Sequence, residues 1–281
     1  MSCPACFSGH VHDGSLKGQI TKLHGLDAYV SEPVEGKPVK GIVIIVPDAF
    51  GWEFVNNRIL ADHYAEKGNY KVYLPDFMKG KATPVWALEV IPKLLSGKGL
   101  LNWLLKPYYL FRTLQAVVPF MISNSFSKSW PIIESFFTAV RQNEGSNLPV
   151  GAAGFCWGGK HVVNLAHGSQ TADGKPLIDA GFTGHPSLLK IPDEIEKIKI
   201  PVSFALGEKD MTLKMPQIQQ IQKVVDAQPE DQKGEVKVYN GAGHGFCVRA
   251  DHVLQDQEQA ATEAEDQAVD WFNRHFQKLP Y

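Results

Sequence analysis

The run Gly41-Ile-Val-Ile-Ile-Val46 carries no polar side chain in either phase of its alternation. A strand with one wet face alternates apolar and polar residues. This run therefore has to be covered on both faces, as a parallel strand between two helical layers is. Further short apolar runs recur at 71–74, 150–154, 178–183, 200–206 and 236–239, and helical patterns occupy 54–67, 132–141, 157–167, 215–227 and 256–276. Such alternation predicts an α/β fold, a mostly parallel doubly wound sheet with right-handed crossovers. No repeat or Gly/Ser/Pro-rich linker divides the 281 residues. One domain over 1–281 is expected, with a short N-terminal extension over about 1–20.

Residues 83–131 break the alternation. This stretch is too long for an ordinary connection and holds Trp86, Trp103, Tyr108, Tyr109, Phe111 and Phe120. It is expected to be a helical insertion with one of three roles: extra helices packed on the sheet, a cap whose aromatics wall a substrate pocket, or a segment lying on a membrane surface. A membrane span is not expected, because Lys106, Pro107 and Arg112 interrupt its most apolar part. With 28 basic against 30 acidic residues the chain lacks the concentrated positive footprint of a nucleic-acid binder. Only four cysteines, and no basic-then-apolar leader in Met1-Ser-Cys-Pro-Ala-Cys-Phe, predict a reducing, cytoplasmic location.

The chemistry is concentrated where the run at 150–154 meets the next helix. Gly154-Phe-Cys156-Trp-Gly158 has the G-x-nucleophile-x-G form of a nucleophile elbow, with Cys in place of Ser. A sharp strand-to-helix turn strains the nucleophile's backbone and needs small residues two before and two after it. The helix N-terminus favours a thiolate, and the Trp157 N–H can stabilise an oxyanion. Gly207-Glu-Lys-Asp210 and Gly241-Ala-Gly-His244-Gly-Phe246 follow two later strands. This is the order nucleophile, acid, histidine, in which Asp210 would orient His244 and His244 would act as base for Cys156.

Together these three motifs resemble the dienelactone hydrolase family of α/β-hydrolases over roughly residues 40–276, and the short N-terminal extension and the wording of the elbow are similar to fungal members. The resemblance implies an α/β-hydrolase fold, Cys156 as nucleophile, His244 as base and Asp210 as acid. It also implies a second oxyanion donor at Ala49, beside Trp157, and an acidic gate on the thiol at Asp48. Phe50, Lys79, His185, Phe246 and Arg249 are the expected substrate or gating contacts. Where bacterial members carry two carboxylate-binding arginines, this chain has Gly80 beside Lys79 and Lys81, and Val248 followed by Arg249. Lysine does not reproduce the guanidinium fork. These departures and the aromatic insertion point away from dienelactone itself, towards a larger or more apolar ester or lactone.

No cofactor or metal is expected. Cys3 and Cys6 with His10 and His12 could ligate zinc or form a redox pair, but a bland segment is the default. Lys160 is expected as a solvated or capping cation, and 255–270 as a solvated acidic face whose Ala260, Ala264, Ala268 and Trp271 pack inward. A glutamine amidotransferase-like site is disfavoured because Gly245-Phe246, not x-Glu, follows His244. The remaining alternatives are a non-catalytic receptor for a small ligand on the same fold and a metal or redox sensor. The expected partner is a small ester or lactone, and the expected state a monomer or homodimer.

Overall fold

A computed structural model of the chain describes residues 9–251 and 254–277. Its sheet contains β1 (Gln19–Leu23), β2 (Leu26–Ser31), β3 (Ile42–Val46), β4 (Lys71–Pro75), β5 (Val150–Phe155), β6 (Ala180–Gly184), β7 (Val202–Gly207) and β8 (Glu235–Tyr239). Their order in space is β1-β2-β4-β3-β5-β6-β7-β8. β2 runs antiparallel to β1 and β4, and every later pairing is parallel. β3 lies between β4 and β5, where the strand order reverses. In sheets of this kind the usual ligand site lies outside the carboxyl ends of the strands at such a reversal, here β3 and β5.

Every residue of β3 is buried, as its unbroken apolar run requires. The sheet is covered by α1 (Val55–Gly68), α5 (Trp157–Leu165), α6 (Met215–Asp226) and α8 (Gln255–Phe276), with the four-residue α7 (Phe246–Arg249) leading into α8. Ala260, Ala264, Ala268 and Trp271 lie on the buried side of α8, as their spacing predicts. Phe272 of that helix lies so close to β5 that a Cβ on Gly151 would come within 2.5 Å of its ring. One residue of the acidic face is not solvated: Glu265 is drawn against Lys67 at 2.9 Å and His63 at 3.0 Å, tying α8 to α1.

The connection from β4 to β5 is helical, as expected, and consists of α2 (Ala87–Ser96), α3 (Leu100–Ser123) and α4 (Phe126–Gln142). Its boundary differs from the expected one. α4 begins at Phe126 and runs through Pro131, because burial of Ser129, Ile133, Phe136 and Phe137 outweighs the hydrogen bond that proline removes. The hairpin β1–β2 was not anticipated from the sequence. Among the described residues no helix is long and apolar enough to cross a membrane.

Arg141 locks this connection to the sheet. Its side chain is fully buried, with Nη2 2.6 Å from Asp179 Oδ2 and Nη1 donating to the Gly145 and Leu148 carbonyls. The same Asp179 oxygen accepts the Val150 N–H at 2.7 Å, so one ion pair fixes the end of α4 and the start of β5. Removing one partner of a buried pair strands the other in low dielectric. Asp179→Ala is expected to lower the urea-unfolding free energy by about 3–5 kcal/mol.

Candidate active site

The elbow forms where β5 ends. Cys156 sits at φ 51° and ψ −111°, a strained left-handed conformation held by the flanking elements. Its N–H donates to the Gly184 carbonyl at 3.2 Å, and its carbonyl accepts from the Gly159 and Ser187 amides. The turn passes very close to the end of β3: a Cβ on Gly158 would lie 2.0 Å from the Val46 carbonyl oxygen. Only glycine allows that approach, and it sets the Trp157 end of the elbow beside the loop 47–51. In that loop Ala49 is buried and its carbonyl accepts the Thr83 N–H at 2.8 Å.

The structure brings the three motif residues together. Asp210, after β7, and His244, after β8, are both buried, with His244 Nδ1 2.8 Å from Asp210 Oδ2. Burial alone would lower the His244 pKa. The charge that Cys156 carries when ionised, the Asp210 hydrogen bond, the nearness of the Cys156 sulfur and the Asp210 charge together outweigh it and raise the value to about 10. The imidazole is therefore hydrogen-bonded to the carboxylate through Nδ1, while Nε2 has no hydrogen-bond partner among the described residues and feels the sulfur through its charge. Thr212 was not singled out from the sequence. Its N–H and hydroxyl each donate to Asp210 Oδ1 at 2.7 Å, and the hydroxyl lies 3.1 Å from His244 Nδ1. Its signal was an Asx-turn, a hydroxyl residue two places after an aspartate. Ser187 was also missed as a site residue; its Oγ lies 3.4 Å from the Cys156 sulfur.

Asp48 and Arg249 form a second buried pair beside the sulfur. The Arg249 guanidinium is hydrogen-bonded to Asp48 Oδ2. Asp48 Oδ1 accepts the Phe50 N–H at 3.1 Å and the Asn57 amide at 3.0 Å. Burial raises the Asp48 pKa; the Arg249 charge opposes the rise and the nearby Cys156 charge adds to it, leaving the carboxyl above its ordinary range. Arg249 also lies over the Phe50 ring at 5.3 Å, so its cation faces Asp48 and Phe50 rather than an open carboxylate cradle.

His185 is fully buried, edge-on to His244 with ring centroids 5.0 Å apart, and also packs on Phe155 and Phe246. Neither of its ring nitrogens has a hydrogen-bond partner among the described residues. Burial, with the positive charges of His244 and Arg249, holds its pKa well below the ordinary value, so it is a neutral wall of the site. Lys79 is not gathered in. It lies exposed in the turn after β4, and its ammonium has no ion-pair partner among the described residues.

The aromatic insertion does not wall the site with most of its aromatics. Only its far end reaches the elbow: Phe120 packs against the Trp157 ring at 6.4 Å, and the Asn124 carbonyl accepts the Trp157 indole N–H at 2.9 Å. Lys160 is not a solvated cation either, since Nζ pairs with Glu194 at 2.6 Å. Cys3 and Cys6 lie outside the described residues. His10 and His12 are occupied elsewhere: His10 pairs with Asp251 at 3.1 Å and His12 Nε2 is hydrogen-bonded to the Ala250 carbonyl. The His10 N–H donates to the Arg249 carbonyl at 3.1 Å. Asn56 Nδ2 donates to both the His10 and Val248 carbonyls at 2.8 Å, so the segment before β1 is stitched to α7. Among the described residues no group of three His, Cys, Asp or Glu side chains could hold a metal ion.

Comparison with known proteins places this chain among hydrolases. The model of the dienelactone hydrolase family matches residues 26–276. Hydrolase pyvD of Aspergillus violaceofuscus is 28% identical over 273 residues, 97% of this chain and 96% of that protein. The carboxymethylenebutenolidase homolog of Rattus norvegicus is 25% identical over 279 residues, 97% of each. Among solved structures, the dienelactone hydrolase from Anabaena variabilis is similar in fold, with a TM-score of 0.59 at 14% identity, covering 93% of this chain and 99% of that one.

The geometry makes the His244 proton depend on the sulfur. In Cys156→Ala the thiolate charge is gone and burial opposes Asp210 alone, so the His244 titration midpoint should fall below about 10, as read from imidazole nitrogen NMR shifts. The sign for stability follows. A folded value raised above 6.5 gives stability that is complete below about pH 6.5 and lost as pH rises through about 10. That alkaline loss should move to lower pH in the variant.

Proposed function

The chain belongs to the dienelactone hydrolase family, and from that premise we propose that it cleaves a carboxylic ester or lactone through a thiol acyl-enzyme built on Cys156, His244 and Asp210. The observation that carries this reading is the 2.8 Å contact of His244 with Asp210 together with the strained φ of 51° at Cys156 in the turn from β5 into α5.

The Cys156 thiolate attacks the substrate carbonyl, and the oxyanion is met by the backbone N–H groups of Trp157 and Ala49. The carbonyl reforms as the C–O bond breaks, and the leaving alkoxide takes its proton from the His244 imidazolium. For an ester the alcohol departs. For a lactone the ring opens and the new hydroxyl stays on the acyl chain. A water then gives its proton to neutral His244 while its oxygen attacks the thioester, and the sulfur leaves as thiolate with release of the acid. Asp210, held by Thr212, keeps His244 in the tautomer and orientation both steps need. No step calls for a cofactor.

Asp48 is the gate in this scheme. Its raised pKa makes it a proton partner for the sulfur, and Arg249 decides how much of that proton it holds. A substrate carboxylate or carbonyl that drew Arg249 away would raise the proton affinity of Asp48 and free the thiolate. The name carboxymethylenebutenolidase, carried by the rat relative, fits lactone opening. The exposed position of Lys79 and the engagement of Arg249 favour a substrate other than one held by two arginine forks.

Hydrolysis of a short activated aryl ester should be lost by at least about 10³-fold in Cys156→Ala, while far-ultraviolet circular dichroism is unchanged. Retained turnover in that variant would remove Cys156 from the mechanism. Since the leaving group needs the imidazolium proton, kcat/KM in the wild type should decline as pH rises through about 10, and Asp210→Asn should bring that decline to lower pH.

A further inference from the structure

Helix α3 presents an apolar surface that nothing in the described chain covers. Leu100 is 74% exposed, Leu101 71%, Trp103 65% and Phe111 59%, and Leu104, Tyr108 and Leu110 are exposed between them. Burial on α3 begins only at Ala116. Over 100–111 the helix is apolar nearly all round, a composition otherwise found inside proteins or in contact with lipid.

The charges of this segment are as one-sided as its apolar surface. Between Glu89 and Glu134 there is no aspartate or glutamate, so all thirty acidic residues of the chain lie elsewhere. The same stretch carries Lys93, Lys98, Lys106, Arg112 and Lys128. Arg112 lies over the Trp86 ring at 4.1 Å, which fixes α3 to the body. Lys93, Lys98 and Lys106 are exposed at the free end of the α2–α3 hairpin.

From this pairing of apolar surface and positive charge we infer that the α2–α3 hairpin docks the protein onto an anionic phospholipid bilayer. Trp103, Tyr108 and Phe111 enter the headgroup boundary, and the lysines meet lipid phosphates and carboxylates. The stretch 100–111 is about 18 Å long, well short of a hydrocarbon core of about 30 Å, so the helix lies in one leaflet and does not span. A second copy of the chain is the less fitting occupant. A two-fold interface sets the same patch against itself, and this patch would bring lysines together with no acidic residue of its own to pair them. The inference stands independently of the hydrolytic mechanism. It does give the other end of α3 a meaning, since Phe120 and Asn124 there hold the indole of Trp157, the residue after Cys156.

The test is co-sedimentation of the full chain with phosphatidylcholine vesicles and with vesicles that also contain phosphatidylserine. Light scattering of the free protein is measured in parallel. The expected result is sedimentation with the phosphatidylserine vesicles that weakens with added salt. Binding should weaken at least about tenfold in Lys98→Glu/Lys106→Glu and be lost in Trp103→Ser/Phe111→Ser. Both variants replace exposed side chains, and their unchanged hydrolysis of a soluble ester would show an intact fold. No sedimentation by the wild type, or sedimentation undiminished in both variants, would overturn the inference. So would a dimer in free solution that Trp103→Ser/Phe111→Ser converts to monomers without any vesicle binding, since the face would then belong to a second copy.

Discussion

The closeness of Gly158 to the end of β3 is the constraint on which the site depends. The helix after the elbow can pack down on the sheet only because no side chain stands between its first turn and the Val46 carbonyl. That packing fixes Cys156 in its strained conformation and turns its side chain towards the carboxyl edge. It also brings the loop that holds Ala49 beside the turn that holds Trp157, segments more than a hundred residues apart in sequence. The parallel register of β3 with β5, Val46 opposite Gly154, does the rest by ending both strands at the same level.

Around that corner the chain buries an unusual density of charge. Asp210, His244, Asp48 and Arg249 are all withdrawn from water within reach of the one sulfur. Alternation of sign is what makes this tolerable: each carboxylate has its cation, and the remaining oxygens take N–H or hydroxyl donors from Thr212, Phe50 and Asn57. Two of these groups, both sensitive to the charge of Cys156, have raised proton affinities, His244 by attraction and Asp48 by burial.

Much of this was legible in the sequence, and the reason is geometric. Parallel sheets place functional residues just past strand ends, so apolar runs followed by Gly-rich turns mark both the strand and its cargo. β3, β5, β7 and β8 with Asp48, Cys156, Asp210 and His244 all read this way. β1 and β2 did not: in the edge strand Gln19–Leu23 four of five residues are exposed, and in the more buried Leu26–Ser31 the polar Asp27 and Ser31 leave no unbroken apolar run to find. The start of α4 was hidden by Pro131, a local breaker overruled by burial that only the tertiary structure reveals. Thr212, Ser187 and Asn57 stayed out of sight because a lone hydroxyl or amide has no periodicity, and its importance comes from which buried atom it faces. The insertion was read correctly as helical. Sequence could not say which way its aromatics point: Trp103, Tyr108 and Phe111 are exposed, while Phe120 is buried.

The stitching of the N-terminal segment reaches further than its place at the edge of the molecule suggests. The His10 amide holds the carbonyl of Arg249, and His12 holds that of Ala250. Asn56 clamps the same stretch from the other side, one residue from the Asn57 that supports Asp48. The residues ahead of β1 therefore brace the backbone around Arg249, whose guanidinium pairs with the buried Asp48. Variation among relatives in this leading segment could retune reactivity while every motif residue stays the same.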